Sequence, residues 1–264
     1  MHTRSKDIAA WLRERITEAG ARGFVVGLSG GVDSAVVAAL CQTATPDHVA
    51  AVILPCHSDP RDEADARLVS GHFRIPVVRV DLGPAYDRLT ADLIPALAQL
   101  PASPRGSRSL EDDPECATRV PQANVKARLR MTSLYFVANS LNYLVAGTGN
   151  RAEVAIGYFT KYGDGGVDVL PLGDLLKSEV CALARDLGVP ASIIDKPPSA
   201  GLWAGQTDEV EMGFTYADLE RYLADGPEAV PPALALRIER LMRQSEHKRT
   251  GAPTPASEIR TAEI

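Results

Sequence analysis

The stretch Phe24-Val25-Val26-Gly27-Leu28-Ser29-Gly30-Gly31-Val32-Asp33-Ser34 limits what this chain can fold into more than any other. A short β-type apolar run breaks into Ser-Gly-Gly, an acid and a serine follow, and Ala35 to Leu40 continue as an apolar helical run. That order predicts a strand, a tight loop and a helix N-terminus. Glycines let such a loop turn at positive φ and bring bare N–H groups against an anion. The unpaired amides of the first helical turn add partial positive charge, so the segment is built to hold a phosphate.

Two familiar loops do not fit. The Gly-x-x-x-x-Gly-Lys-Ser/Thr loop needs a lysine that is missing here. Gly27-Leu28-Ser29-Gly30-Gly31 matches Gly-x-Ser-x-Gly, the nucleophile elbow of α/β-hydrolases. That elbow requires strands and an oxyanion donor upstream, whereas a single helical pattern precedes Ser29. The loop instead resembles the Ser-Gly-Gly-x-Asp-Ser pyrophosphate loop of the N-type ATP pyrophosphatases, which cleave ATP between the α and β phosphates. Asp33 beside ATP phosphates would be repelled by about 1 to 4 kcal/mol per close charge pair. A divalent cation bridging carboxylate and phosphate reverses that sign, and Mg²⁺ favours such mixed oxygen shells. The plain alternative makes Asp33 a helix-capping acid and Gly30-Gly31 an ordinary turn.

Length and charge suit one α/β unit: 264 residues with a net charge of −6. The acidic balance argues against a nucleic-acid surface. Cys41, Cys56, Cys116 and Cys181 are widely spaced, with no Cys-x-x-Cys pair. Reduced thiols and a cytoplasmic location are expected. The first residues carry no signal-peptide apolar core, and no apolar run reaches transmembrane length, so no membrane partner is expected.

Ile8, Trp11, Leu12 and Ile16 recur at helical spacing and predict an amphipathic helix over 5–19. Strands are predicted near 23–28, 49–54, 76–81 and 143–147, with helical patterns between most of them. The expected fold class is therefore α/β: a doubly wound, Rossmann-like parallel sheet flanked by helices in a single domain. A phosphate loop after the first strand puts the ligand at the carboxyl ends of the strands. Residues 99–120, rich in Pro, Ser, Arg and acids, read as a long mobile connection. The domain is expected to span 1–250, with 251–264 as a frayed tail.

A second informative region follows the apolar run Tyr143 to Ala146: Gly147-Thr148-Gly149-Asn150-Arg151-Ala152-Glu153, then Gly157 to Asp168. Loops after different strands of a doubly wound sheet converge on one crevice. There Thr148 offers a hydroxyl, Lys161 an ammonium for a phosphate, and Glu153 a hard oxygen ligand able to share a metal with Asp33. The plain alternative is an exposed helix-start Glu and a solvated Lys.

Gly157-Tyr158-Phe159-Thr160-Lys161-Tyr162-Gly163-Asp164-Gly165-Gly166-Val167-Asp168 and Leu170 to Lys177 together resemble the NAD synthetase family. So do Lys196 to Trp203, Gly205 to Glu209, the Asn124-Val125-Lys126-Ala127-Arg128-Leu129-Arg130-Met131 block, and His247-Lys248-Arg249. The resemblance covers residues 5–250. It implies that Gly27, Leu28, Ser29, Gly30, Gly31, Val32, Asp33 and Ser34 hold ATP, with Thr148, Lys177 and Ser199 as further ATP contacts. It also implies Asp33 and Glu153 as Mg²⁺ ligands, and Arg128, Lys161, Asp168, His247 and Lys248 as contacts to deamido-NAD. The segment after Ile53-Leu54-Pro55 fits the family's loop beside the adenosine.

The reaction so implied has two steps. The nicotinate carboxylate of deamido-NAD attacks the α-phosphorus of ATP and expels pyrophosphate; ammonia then attacks the adenylated carboxyl carbon and AMP leaves. Positioning and electrostatics carry the first step, so amides, Lys177 and Mg²⁺ are the expected catalysts beside Asp33. The second step needs a carboxylate to bind and deprotonate ammonium, and Asp164 and Asp168 both qualify. Closure of 160–168, eased by Gly163, Gly165 and Gly166, would exclude water from the acyl-adenylate.

The chain departs from the family at Ala123, where glycine is usual, and at Ala152, where a small polar residue is usual. Trp11, Phe136 and Trp203 read as core or interface packing rather than base-stacking platforms, and His57 and His72 as incidental. No segment is long enough for a glutaminase domain, so ammonia is the expected nitrogen donor, direct or from a separate glutaminase. The resemblance also implies a homodimer. A tRNA-thiolating relative would favour a basic surface and sulfur-handling cysteines. A GMP-synthetase-like enzyme would lack the Lys-Tyr-Gly-Asp-Gly-Gly and His-Lys-Arg blocks. A non-catalytic nucleotide binder would have lost the metal ligands.

Overall fold

Phe24 and Val26 pack on one side of a sheet and Val25 on the other, as alternation along a strand requires, and all three are fully buried. A strand buried on both faces must lie inside a sheet covered by helices on both sides, which is why β1 (Phe24–Gly27) is apolar along its length. The structure is a computed structural model and describes residues 3–100, 114–197 and 207–254. Three further strands, β2 (Val49–Ile53), β3 (Val77–Arg79) and β4 (Leu144–Ala146), pair parallel in the order β3-β2-β1-β4. Val26 lies opposite Ala51 on one side and Ala146 on the other. A parallel bridge from Ala146 to Val169 prolongs the sheet past β4.

The helices follow from the same pattern. On one face lie α1 (Thr3–Ala19), α2 (Val32–Ala44), α3 (Pro60–Phe73), and, after three more helices, α7 (Lys177–Leu187) and α8 (Ala191–Ile194). The opposite face is covered by α4 (Gly83–Leu97) and α5 (Pro114–Leu141), which close over Val25, Val52 and Val145. Helix α2 is buried nearly all round, from Ala35 through Cys41, because α1 and α7 flank it. Each fully buried Val or Leu there contributes about 1.5–3 kcal/mol. A charge at Val36 would break that packing.

A smaller cluster joins α6 (Arg151–Ile156) to α9 (Asp208–Met212), α10 (Tyr216–Asp225) and α11 (Pro232–Gln244) through Ile156, Met212, Phe214, Leu219 and Ile238. The short α12 (Glu246–Arg249) follows. Among the described residues, no helix is long and apolar enough to cross a membrane.

The doubly wound parallel sheet expected from the sequence is present, each strand within about two residues of its predicted ends. The connection expected over 99–120 is corrected at its C-terminal end, since helix α5 begins at Pro114. Proline is favoured at a first helical position, where its missing N–H costs nothing. A second proline, Pro121, lies inside α5 and disguises it in the sequence. Residues 101–113 and 255–264 of the two segments expected to be mobile lie outside the described residues.

Since β1 sits between β2 and β4, the chain leaves it in opposite directions, and a crevice opens beyond the carboxyl ends of these strands.

Candidate active site

The crevice floor is the loop after β1. Gly30 holds φ at +79°, and a Cβ there would stand 2.5 Å from the Asp62 carbonyl oxygen. Only glycine fits, because the loop backbone rests directly on α3. Ser34 Oγ donates to the Gly31 carbonyl at 2.9 Å and lies 3.1 Å from Ser29 Oγ, which accepts from the Gly31 N–H at 3.3 Å. These bonds fix the turn. Helix α2 starts at Gly31 without any side-chain cap, so its first-turn amides are left for a ligand. At α6, by contrast, Asn150 caps the helix through a capping box with Glu153.

Asp33, on the first turn of α2, pairs with Lys177, the first residue of α7, and both are largely buried. Asn150 Nδ2 donates to Asp33 Oδ1 at 3.2 Å, while the Asn150 N–H donates to Glu153 Oε2 at 3.1 Å. One residue thus places both expected metal carboxylates side by side. The Tyr216 hydroxyl lies 3.2 Å from Glu153 Oε1 and 3.0 Å from Asp208 Oδ2, and the Tyr158 hydroxyl reaches Asp208 Oδ1 at 3.2 Å. Burial raises the Glu153 carboxyl above its ordinary range, and the Asp33 charge adds to the rise. Burial also raises Asp208. For Lys177 burial acts downward, but the Asp33 and Glu153 carboxylates outweigh it and hold the ammonium above its usual pKa. Three acids therefore surround one cation, and with Glu153 and Asp208 both raised, a further cation would be needed to hold all three ionised.

The opposite wall is the loop over 157–168. Asp164 accepts from the Thr160 N–H at 2.9 Å, and Thr160 Oγ1 donates to Asn124 Oδ1 of α5 at 2.7 Å. Burial pushes Asp164 upward; the Thr160 N–H and the charge of Lys248 offset part of that shift. Lys248 Nζ donates to the carbonyls of Gly157 (2.7 Å) and Phe159 (2.8 Å), and burial lowers its pKa. Asp168 is differently placed. One of its oxygens accepts from the Tyr135 hydroxyl at 2.9 Å and the other from the Val145 N–H at 2.8 Å, tying the loop to β4 and α5.

The two walls and the floor enclose a cavity of about 600 Å³. Gly27, Leu28, Ser29, Gly31, Val32, Asp33, Ser34, Thr148, Glu153, Asp164, Lys177 and Lys248 all line it. Arg128, Lys161 and His247 gather beside it: Arg128 Nη2 donates to the Lys161 carbonyl at 3.3 Å, and Lys161 Nζ to the carbonyl of His247. Ser199 and Trp203 lie outside the described residues. Asn150, Asp208, Tyr158 and Tyr216 belong to the site as well, beyond the residues expected from the sequence. The Asn-x-x-Glu spacing of a capping box could have flagged Asn150. The tyrosines gave no signal distinct from core aromatics.

A parallel sheet, a glycine loop at an uncapped helix N-terminus and a carboxylate-rich cleft define a nucleotide-binding α/β enzyme. The chain belongs to the NAD synthase family, whose model matches residues 4–252. It is 48% identical over 246 residues to an NH(3)-dependent NAD(+) synthetase of Carboxydothermus hydrogenoformans, covering 93% of this chain and 94% of that one. Among solved structures, an NMN synthetase from Francisella tularensis superposes with a TM-score of 0.82 at 39% identity, covering 96% of this chain and 97% of the other. An NH3-dependent NAD synthetase from Campylobacter jejuni, in complex with the nitrate ion, gives 0.74 at 26% identity, covering 96% and 99%.

Proposed function

We propose that this enzyme amidates deamido-NAD with ammonia, consuming ATP and releasing NAD, AMP and pyrophosphate by way of an NAD-adenylate. The observation that carries the reading is the meeting, in one cavity, of the phosphate loop, the Asp33–Lys177 pair and the Asp164 carboxylate. In the first step the loop amides and Lys177 take up the charge that develops on the departing pyrophosphate. Asp33 holds the Lys177 ammonium in place and keeps it protonated.

The residues present fit a Mg²⁺ ion bound together with the nucleotide. Asp33 and Glu153 are hard oxygen donors held together by Asn150. Among the described residues, no three His, Cys, Asp or Glu side chains are grouped to hold a metal alone, so phosphate oxygens and water would complete the shell. When bound, the ion would neutralise phosphate charge.

In the second step Asp164 binds ammonium, takes one proton, and leaves ammonia to attack the acyl carbon as AMP departs. Asp168 is the weaker choice for this role, because both of its oxygens already accept protein hydrogen bonds. Arg128, Lys161, His247 and Lys248 would hold the dinucleotide, and Ser199 the ATP phosphates.

The reading includes a homodimer in the cytoplasm. Leu89, Leu93, Ile94 and Leu97 of α4 and Phe136 of α5 expose an apolar face that a second copy would cover. Cys41 and Cys56 are buried free thiols, which suits a reducing compartment.

The test is NAD formation from deamido-NAD, ATP, Mg²⁺ and ammonium. Parallel tubes replace ammonium by glutamine or deamido-NAD by nicotinate mononucleotide. Product with ammonium and deamido-NAD alone is expected. Product from the mononucleotide only would overturn the substrate assignment, and product with glutamine would overturn direct ammonia use unless a separate glutaminase had co-purified.

A further inference from the structure

Arg130 is a half-buried cation that the two steps above do not use. It projects from α5 into the cavity wall, where its Nε donates to the Leu54 carbonyl at 3.2 Å and its Nη2 to Ser58 Oγ at 3.1 Å. Ser58 Oγ also accepts from the Cys56 N–H at 3.3 Å, so the guanidinium closes a small network over the loop between β2 and α3. Both acceptors are neutral. The acids that act on Arg130, Asp164 and Asp62, do so through space and form no bond with it. Burial pulls its pKa down. A guanidinium desolvated against neutral oxygens is unfavourable unless an anion enters the same space. Strand β2, which leads into the loop it braces, is paired with the strand that leads into the phosphate loop: the Leu28 N–H donates to the Val52 carbonyl at 2.9 Å.

We infer that Arg130 is the ATP-positioning residue of this cleft. It locks the β2–α3 loop through Leu54 and Ser58, and its charge waits for the nucleotide polyanion. This rests on reading the cleft as an ATP site. Its planar fork makes two directed bonds at once, which a lysine ammonium cannot reproduce from the same backbone position.

The experiment compares wild type, Arg130→Lys and Arg130→Gln. Calorimetry with α,β-methylene-ATP alone should give at least about tenfold weaker binding in both variants, a loss of about 1.4 kcal/mol. In steady state the KM for ATP should rise by at least about tenfold, while the KM for deamido-NAD and kcat at saturating ATP stay within about threefold. A merely structural role would move both KM values and the melting temperature of the ligand-free protein together. That pattern, or unchanged ATP affinity in either variant, overturns the inference. Should Arg130→Gln not fold, Arg130→Lys keeps the charge without the fork and decides alone. Failure of the synthetase reading itself would look different, because wild type would then not bind the ATP analogue.

Discussion

Asp33 and Lys177 are 144 residues apart in the chain and form a largely buried ion pair at the floor of the crevice, each from the first turn of its helix. Acids are favoured at helix N-termini and a lysine is not, so Lys177 stands against its own helix dipole and depends on Asp33. A phosphate bound beside α2, as proposed above, would compete with Asp33 for the same ammonium.

Asp33→Asn should lower ATP–pyrophosphate exchange by about 10²–10³-fold, the usual effect of losing one preorganised charge, with the fold retained by circular dichroism. Lys177→Met should do the same. Because the two act as a unit, the double variant should lose little more than either single one. Full exchange activity in either single variant would sink the assigned roles.

Asp164→Asn should separate the two steps. Exchange of pyrophosphate into ATP in the presence of deamido-NAD should persist, while NAD formation from ammonium falls by about 10²–10⁴-fold, the usual worth of a general base.

With Asp164 as the proposed base, its carboxylate would be the active form, so at fixed free ammonia the rate should fall as pH drops through a value above the ~3.9 of free aspartate. Removing the nearby cation by Lys248→Met should move that limb to higher pH. Stability carries the opposite sign. A folded pKa above the unfolded one contributes stability below the unfolded pKa that is lost as pH rises through the folded one. Asp164→Asn should therefore raise the melting temperature at pH 8 and give no gain at pH 4, which a pH series of melting curves would check.

Gly30→Ala forces a side chain into positive φ, costing about 1–2 kcal/mol, and adds a clash with the Asp62 carbonyl. A fall of at least about 2–4 °C in melting temperature should accompany weakened ATP binding. Calorimetry showing wild-type affinity would mean that the loop tolerates a side chain there.

Phe136→Asp should convert a dimer to monomers in sedimentation, since the ring is 75% exposed on a single chain. A monomeric wild type would remove the proposed interface.

The strands and the phosphate loop were legible because their signals are local: apolar runs of strand length, glycines in a row, and an acid at the start of the following helical run. Glu153 was legible from its place just after the strand near 143–147, whereas Lys177 was legible only through resemblance. Asp208 and Arg130 lay inside motifs already singled out, yet what they touch is decided by partners far off in sequence, Tyr158 and Tyr216 for one, Leu54 and Ser58 for the other. The start of α5 was hidden for a local reason, the proline at position 121.

Lys248 fastens α12 to the Gly157 and Phe159 carbonyls, 91 and 89 residues earlier in the chain. A contact of such span is made only when the intervening helices have packed, because its loop-closure entropy must be met by tertiary contacts. This wall of the cleft is therefore a product of the whole fold, and Lys248→Met would loosen it while leaving the sheet and the phosphate loop in place.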